Sequence, residues 1–191
     1  MFDLIESEFL NLNNIFRFSN TKLIERESTA EHTMTMQLIA LYFYNKYPDL
    51  PIEDICMRIL YHDLDECVSA DIPRSIKYAS KESYDIINKE TTRLLKESKI
   101  NEHIICKFQS SKHDGSWNGH FVQVLDVLQC LLKLYNEYLL QHTTILKTRV
   151  LECCDNLTNS LTSLNPEFYH GAEIITEINS IKSMIESNVS K

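Results

Sequence analysis

Phe121, Val122, Val124, Leu125, Val127, Leu128, Leu131, Leu132, Leu134 and Tyr135 crowd one segment that reads as a helix over residues 120–140. A helix apolar over most of its circumference has to be surrounded by other elements. The rest of the chain offers helices to do this. Three glycines and four prolines in 191 residues leave few turns for a many-stranded sheet. Apolar residues recur at helical spacing over 2–16, from 29 to Tyr47, and over 52–67, 80–98, 101–109, 143–163 and 167–188. Ser28 or Thr29 can cap the second of these, and Pro51 suits the start of the third. The expected fold is all-α: a single compact helical bundle of about seven helices. One domain is expected over 1–191, with a core over 12–152 and the C-terminal helices, 143–188, packing on it.

Composition narrows the function classes. Hydrophobic residues are 43% and charged residues 24%, ordinary for a globular protein. A net charge of −8 argues against a nucleic-acid polymer as partner, since such binders cluster Lys and Arg. The six cysteines form no CxxC pair and no disulfide framework, which points to a reducing, cytoplasmic setting. Asp3, Glu6 and Glu8 stand where a signal peptide would be basic, and no apolar run is long enough to span a membrane.

The chemistry is expected around His62-Asp63. Ile52, Ile55, Cys56, Ile59 and Leu60 form one apolar stripe, and Asp63 falls on its continuation. An ionised carboxylate on a core-facing stripe is costly unless paired or bound to a cation. Glu66 follows one turn later and can share the patch. On spacing alone, Asp63, Asp65 and Glu66 read equally as the solvated end of a fraying helix. His32 near a helix start reads first as a surface or capping residue, and Asp71, before Pro73, as a turn residue. The polar stripe Asp126, Gln129, Lys133 and Glu137 on the central helix is either its solvated side or the lining of a cavity. A second pair, His113-Asp114, is read as a turn in the polar stretch 110–119.

His32, His62-Asp63 and Asp126 lie on different helices in the order H…HD…D, which resembles the metal-binding signature of the HD-domain phosphohydrolase superfamily. Further motifs are similar to its bacterial 5′-deoxynucleotidase branch. Arg17-Phe18 precedes Glu31-His32; His62-Asp63-Leu64-Asp65-Glu66 precedes Ala70-Asp71-Ile72-Pro73; Lys77 follows. Lys133 stands seven residues after Asp126, and Lys147-Thr148-Arg149 comes next. The match runs from about residue 12 to about 152. Two positions depart from it: Phe18 replaces a Trp, and Ala70 a Gly.

The resemblance implies a metal-dependent enzyme that hydrolyses deoxynucleoside 5′-monophosphates. His32, His62, Asp63 and Asp126 would hold one divalent ion per subunit, Zn, Co, Mn or Mg, with room for a second alongside a bound triphosphate. Glu66 would be the general acid/base. Asp71 would take the sugar 3′-hydroxyl, Arg17 and Lys77 the phosphate, and Phe18 would wall the sugar. The related phage branch implies an alternative, release of triphosphate from deoxynucleoside triphosphates, which would use extra cations such as Lys112, Lys133 or Arg74. A non-catalytic module that binds metal or nucleotide is the other alternative. Relatives also imply a homo-oligomer.

Overall fold

The computed structural model describes residues 8–77, 79–98, 100, 102–111 and 114–190. The described residues are helical, with no strand and a single isolated antiparallel bridge between Phe16 and Ser28. The all-α expectation holds. After a 3-10 helix, Glu8–Asn13, come α1 (Thr29–Lys46), α2 (Ile52–Tyr61), α3 (Glu66–Ser69), α4 (Arg74–Lys77), α5 (Lys81–Glu97), α6 (Glu102–Ser111), α7 (Trp117–Gln141), α8 (Thr144–Leu161) and α9 (Gly171–Ser190).

The chain forms two compact units: Met1–Met34 with Arg58–Lys112, and Thr35–Met57 with His113–Lys191. In the first, Leu64, Cys67, Leu95, Ile100, Ile105 and Phe108 make a buried cluster, against which Leu12, Tyr61, Val68 and Ile104 pack. The 3-10 helix and α5 lie against α3. In the second, α8 packs on both α7 and α9. Phe121 is fully buried there, edge-on to Phe43 and stacked on Trp117.

Local chemistry accounts for the starts of the longer helices α1, α5, α7, α8 and α9. Ser28 starts α1 through a reciprocal capping box: its Oγ accepts from the Glu31 amide at 3.2 Å, and Glu31 Oε2 accepts from the Ser28 amide at 2.7 Å. Ser80, Ser116 and Thr143 cap α5, α7 and α8 in the same sense. Gly171 opens α9 where a Cβ would lie 2.5 Å from the carbonyl oxygen of Asn165, so only glycine fits.

Several expectations need correction, and one open alternative is decided. The expected first helix shrinks to the 3-10 turn 8–13 among the described residues; Phe2 and Ile5 lie outside them, and Phe16 belongs to the bridge. The expected 52–67 helix breaks after Tyr61. Bonds from the amides of Leu64, Glu66 and Cys67 to carbonyls three residues back tighten the chain into turns before α3. Leu60, assigned to the inward stripe, is 52% exposed. The helix expected over 120–140 begins earlier, at Trp117. The stripe on α7 is not a solvated face, because Gln129 and Glu137 are buried. Lys133 and Gln141 both hold the Glu137 carboxylate, at 3.3 and 2.8 Å.

Candidate metal centre

The site is assembled in the first unit from three segments. The first is the stretch from Ile15 to His32. The Phe16–Ser28 bridge, with Arg17 N–H donating to Glu27 O and Thr29 N–H to Ile15 O, both at 2.9 Å, closes the neck of the loop 17–28. That closure sets Arg17 and Phe18 beside the first turn of α1, from which fully buried His32 projects. The second segment is the turn 62–65 leading into α3. Leu64 and Cys67 anchor it in the apolar cluster, while His62, Asp63 and Glu66 alternate with them in sequence. The third is Ala70-Asp71.

His32, His62 and Asp63 turn one ligand atom each toward a common point. The two Nε2 atoms are 3.1 Å apart; Asp63 Oδ2 lies 3.1 Å from His62 Nε2 and 3.7 Å from His32 Nε2. His62 Nδ1 donates to the carbonyl of Ile59 at 2.6 Å, so in the neutral ring the Nε2 lone pair is the one that faces Asp63. Three electron-rich atoms crowded this way repel one another unless a proton or cation lies among them. Ligands about 2.1 Å from a tetrahedral ion stand about 3.4 Å apart, the range these three atoms occupy. The residues fit a divalent metal.

The surrounding charges are strongly perturbed. Burial alone would raise the Asp63 carboxyl, but His62, Arg17 and His32 outweigh it and hold it well below the usual carboxylate range. Arg17 Nη1 donates to Asp63 Oδ2 at 2.9 Å. Glu66 goes the other way: burial, with the Asp63 charge, pushes it up to about 8 against the pull of a hydrogen bond from Thr29. Asp71 is also raised, chiefly by burial, although Arg17 and the amide of Phe18 favour its charged form.

The other expected residues divide. Phe18 sits next to the Arg17 guanidinium, 5.7 Å from ring centre to its carbon, in a left-handed backbone conformation, φ 58°. Lys77 is paired with Asp65 at 3.7 Å, a partner the sequence did not suggest. Asp126 belongs to the second unit, half-buried on α7, with the Cys130 thiol 3.9 Å from Oδ1. Lys133 is the partner of Glu137; Lys112 and the side chain of Arg74 lie outside the described residues. So does His113, whose neighbour Asp114 accepts from the Ser116 amide in a turn leading to α7. Two residues went unremarked as site residues in the sequence. Thr29 donates to Glu66 Oε2 at 2.7 Å, and buried Glu27 lies 3.8 Å from Arg17 Nε. Their only sequence signal is proximity to His32 and Arg17.

An all-helical fold with a His-His-Asp cluster, a raised glutamate and an arginine beside it has the parts of a metal-dependent hydrolase. A family model described as 5′-deoxynucleotidase YfbR-like matches residues 7–168. The chain therefore belongs to the YfbR-like 5′-deoxynucleotidase family, hydrolases of deoxynucleotides. Solved structures agree on the fold. A conserved hypothetical protein from Pyrococcus furiosus has a TM-score of 0.69 at 20% identity, over 94% of this chain and 99% of its own. An HD-domain phosphohydrolase from Listeria innocua has 0.69 at 16%, over 96% and 95%. The cyanophage S-2L HD phosphohydrolase DatZ, solved with dA and one catalytic Zn2+ ion, has 0.66 at 15%, over 93% and 95%. No curated protein matches the chain in sequence.

Proposed function

We propose that the protein is a 5′-deoxynucleotidase that converts deoxynucleoside 5′-monophosphates to deoxynucleosides and phosphate, with residues 1–191 working as one domain. The family match over 7–168, which includes residues of both units, supports this. The observation that carries the chemistry is the convergence of His32, His62 and Asp63 beside Arg17 and a protonatable Glu66.

His32, His62 and Asp63 hold the ion, and Asp126 is assigned as the fourth ligand on the strength of the family pattern. Zn, Co, Mn and Mg all suit mixed imidazole and carboxylate donors. When bound, a divalent ion makes hydroxide available near neutrality and polarises the phosphoryl group. Arg17, oriented by Asp63, is the guanidinium assigned to the phosphate. Lys77, tied to Asp65, adds positive charge. Glu66, whose carboxyl is raised by burial and by the Asp63 charge, donates its proton to the departing O5′. Asp71 accepts from the sugar 3′-hydroxyl, and the Phe18 ring walls the sugar so that a 2′-hydroxyl is crowded. The substrate is a small molecule, and the working protein is a cytoplasmic homo-oligomer.

The test is incubation of the metal-loaded protein with the four common deoxynucleoside monophosphates, the four triphosphates and the matching ribonucleotides, with D63A as blank. Inorganic phosphate from deoxynucleoside monophosphates, absent in the blank, is the expected result. Intact triphosphate from the triphosphates, with monophosphates untouched, would transfer the chain to the triphosphohydrolase reading. No turnover in the presence of bound metal would leave a non-catalytic binding module.

A further inference from the structure

The two oxygens of the Glu66 carboxyl are not equivalent. Oε2 accepts the Thr29 hydroxyl at 2.7 Å in a contact where Thr29 is fully buried and Glu66 nearly so. Oε1 makes no hydrogen bond among the described residues. The threonine is itself fixed. Its amide donates to Ile15 O at 2.9 Å, its carbonyl accepts from Thr33 Oγ1 at 2.9 Å, and it follows the bridged residue Ser28. Thr29 Oγ1 also lies 3.4 Å from Ile15 O, a poorer alternative acceptor for its single proton.

We infer that Thr29 is a positioning residue for the reaction: its hydroxyl pins Oε2 of Glu66 and leaves Oε1 as the oxygen that exchanges a proton with the substrate. This rests on the acid/base role of Glu66 proposed above. As water forms its bond to phosphorus and the P–O5′ bond breaks, the proton on Oε1 passes to O5′. The proton lost by the attacking water restores the acid afterwards. Negative charge thus develops on the Glu66 carboxyl only as the reaction proceeds, and a hydroxyl donating to it tightens at that moment. An interaction that strengthens in the transition state acts on kcat and leaves KM alone.

The experiment compares T29V, T29S, T29A and E66Q in the metal-loaded protein, reading kcat and KM for phosphate release together with metal content and melting temperature. Thr29→Val keeps the shape and removes the donor; kcat is expected to fall about tenfold or more, the worth of one hydrogen bond to a charged group, with KM within about twofold. Thr29→Ser restores kcat, and metal content is unchanged in both. Wild-type kcat in T29V, while E66Q is inactive, overturns the inference and spares the role of Glu66. An active E66Q overturns that role and the inference with it. Should T29V fail to fold, T29S against T29A differs by the hydroxyl alone: a higher kcat in T29S supports the inference and equal values overturn it.

Discussion

Glu66 is the residue whose protonation the fold changes most usefully. Its carboxyl is raised from 4.5 to about 8, so the metal-free folded state binds a proton there more tightly than the unfolded chain does. The associated stability is complete below about pH 4.5 and is lost as pH rises through about 8. Metal-free protein should therefore melt at progressively lower temperature across that window, and E66Q, which cannot ionise, should flatten the profile and melt higher than wild type at pH 8. Parallel profiles for the two would show that the raised carboxyl is not Glu66. The sequence allowed this residue to be picked out, because His62-Asp63-x-x-Glu66 places three chemical groups within five positions. It did so through a continuous helix that does not exist: Asp63 reaches the site from a turn after α2 has ended. Thr29 was not legible as a partner, since a threonine near a helix start has an adequate local explanation as a cap. Its contact with Glu66 spans 37 positions.

At the level of elements, helical spacing located the long helices to within a few residues, and the capping residues Ser28, Ser80, Ser116 and Thr143 explain why. The break between α2 and α3 had no such signal. Neither glycine nor proline marks residues 61–66, and the bend is set by where Leu64 and Cys67 are buried. The end of α3 carries a measurable strain. Ala70 sits at φ 59°, ψ 173°, a conformation open in practice to glycine alone. Ala70→Gly should stabilise the protein by about 1 kcal/mol after the extra chain entropy of glycine is subtracted, seen as a higher denaturation midpoint with an unchanged denaturant slope. A lower midpoint would mean that the neighbouring Asp71 turn is held in another way.

For the molecule as a whole, scarcity of glycine and proline was enough to exclude a sheet protein, and the long apolar helix α7 was enough to demand a bundle. The division into two units was not legible. It depends on which helices pack together, and it falls inside α1 and α2, where sequence shows unbroken periods. No described helix is long and apolar enough to cross a membrane. A ligand that binds only the folded state stabilises all of it, so a divalent ion added at about a hundred times its dissociation constant should add about 2.7 kcal/mol. Titrating Zn2+ or Mn2+ into chelator-treated protein should raise the melting temperature of wild type and leave that of H62A unmoved. An equal rise in H62A would place the binding elsewhere.

The bridge between Phe16 and Ser28 has a consequence for how this enzyme can change over generations. Beyond the closed neck, positions 19–26 are largely exposed, while Arg17, Phe18, Glu27 and Thr29 are held at the neck itself. A loop clipped at its base can be lengthened, shortened or rewritten without displacing what the clip holds. Its tip can thus drift under selection while Arg17 stays where α1 and Asp63 hold it, and descendants of this chain can explore new neighbours for a substrate without first dismantling the metal cluster.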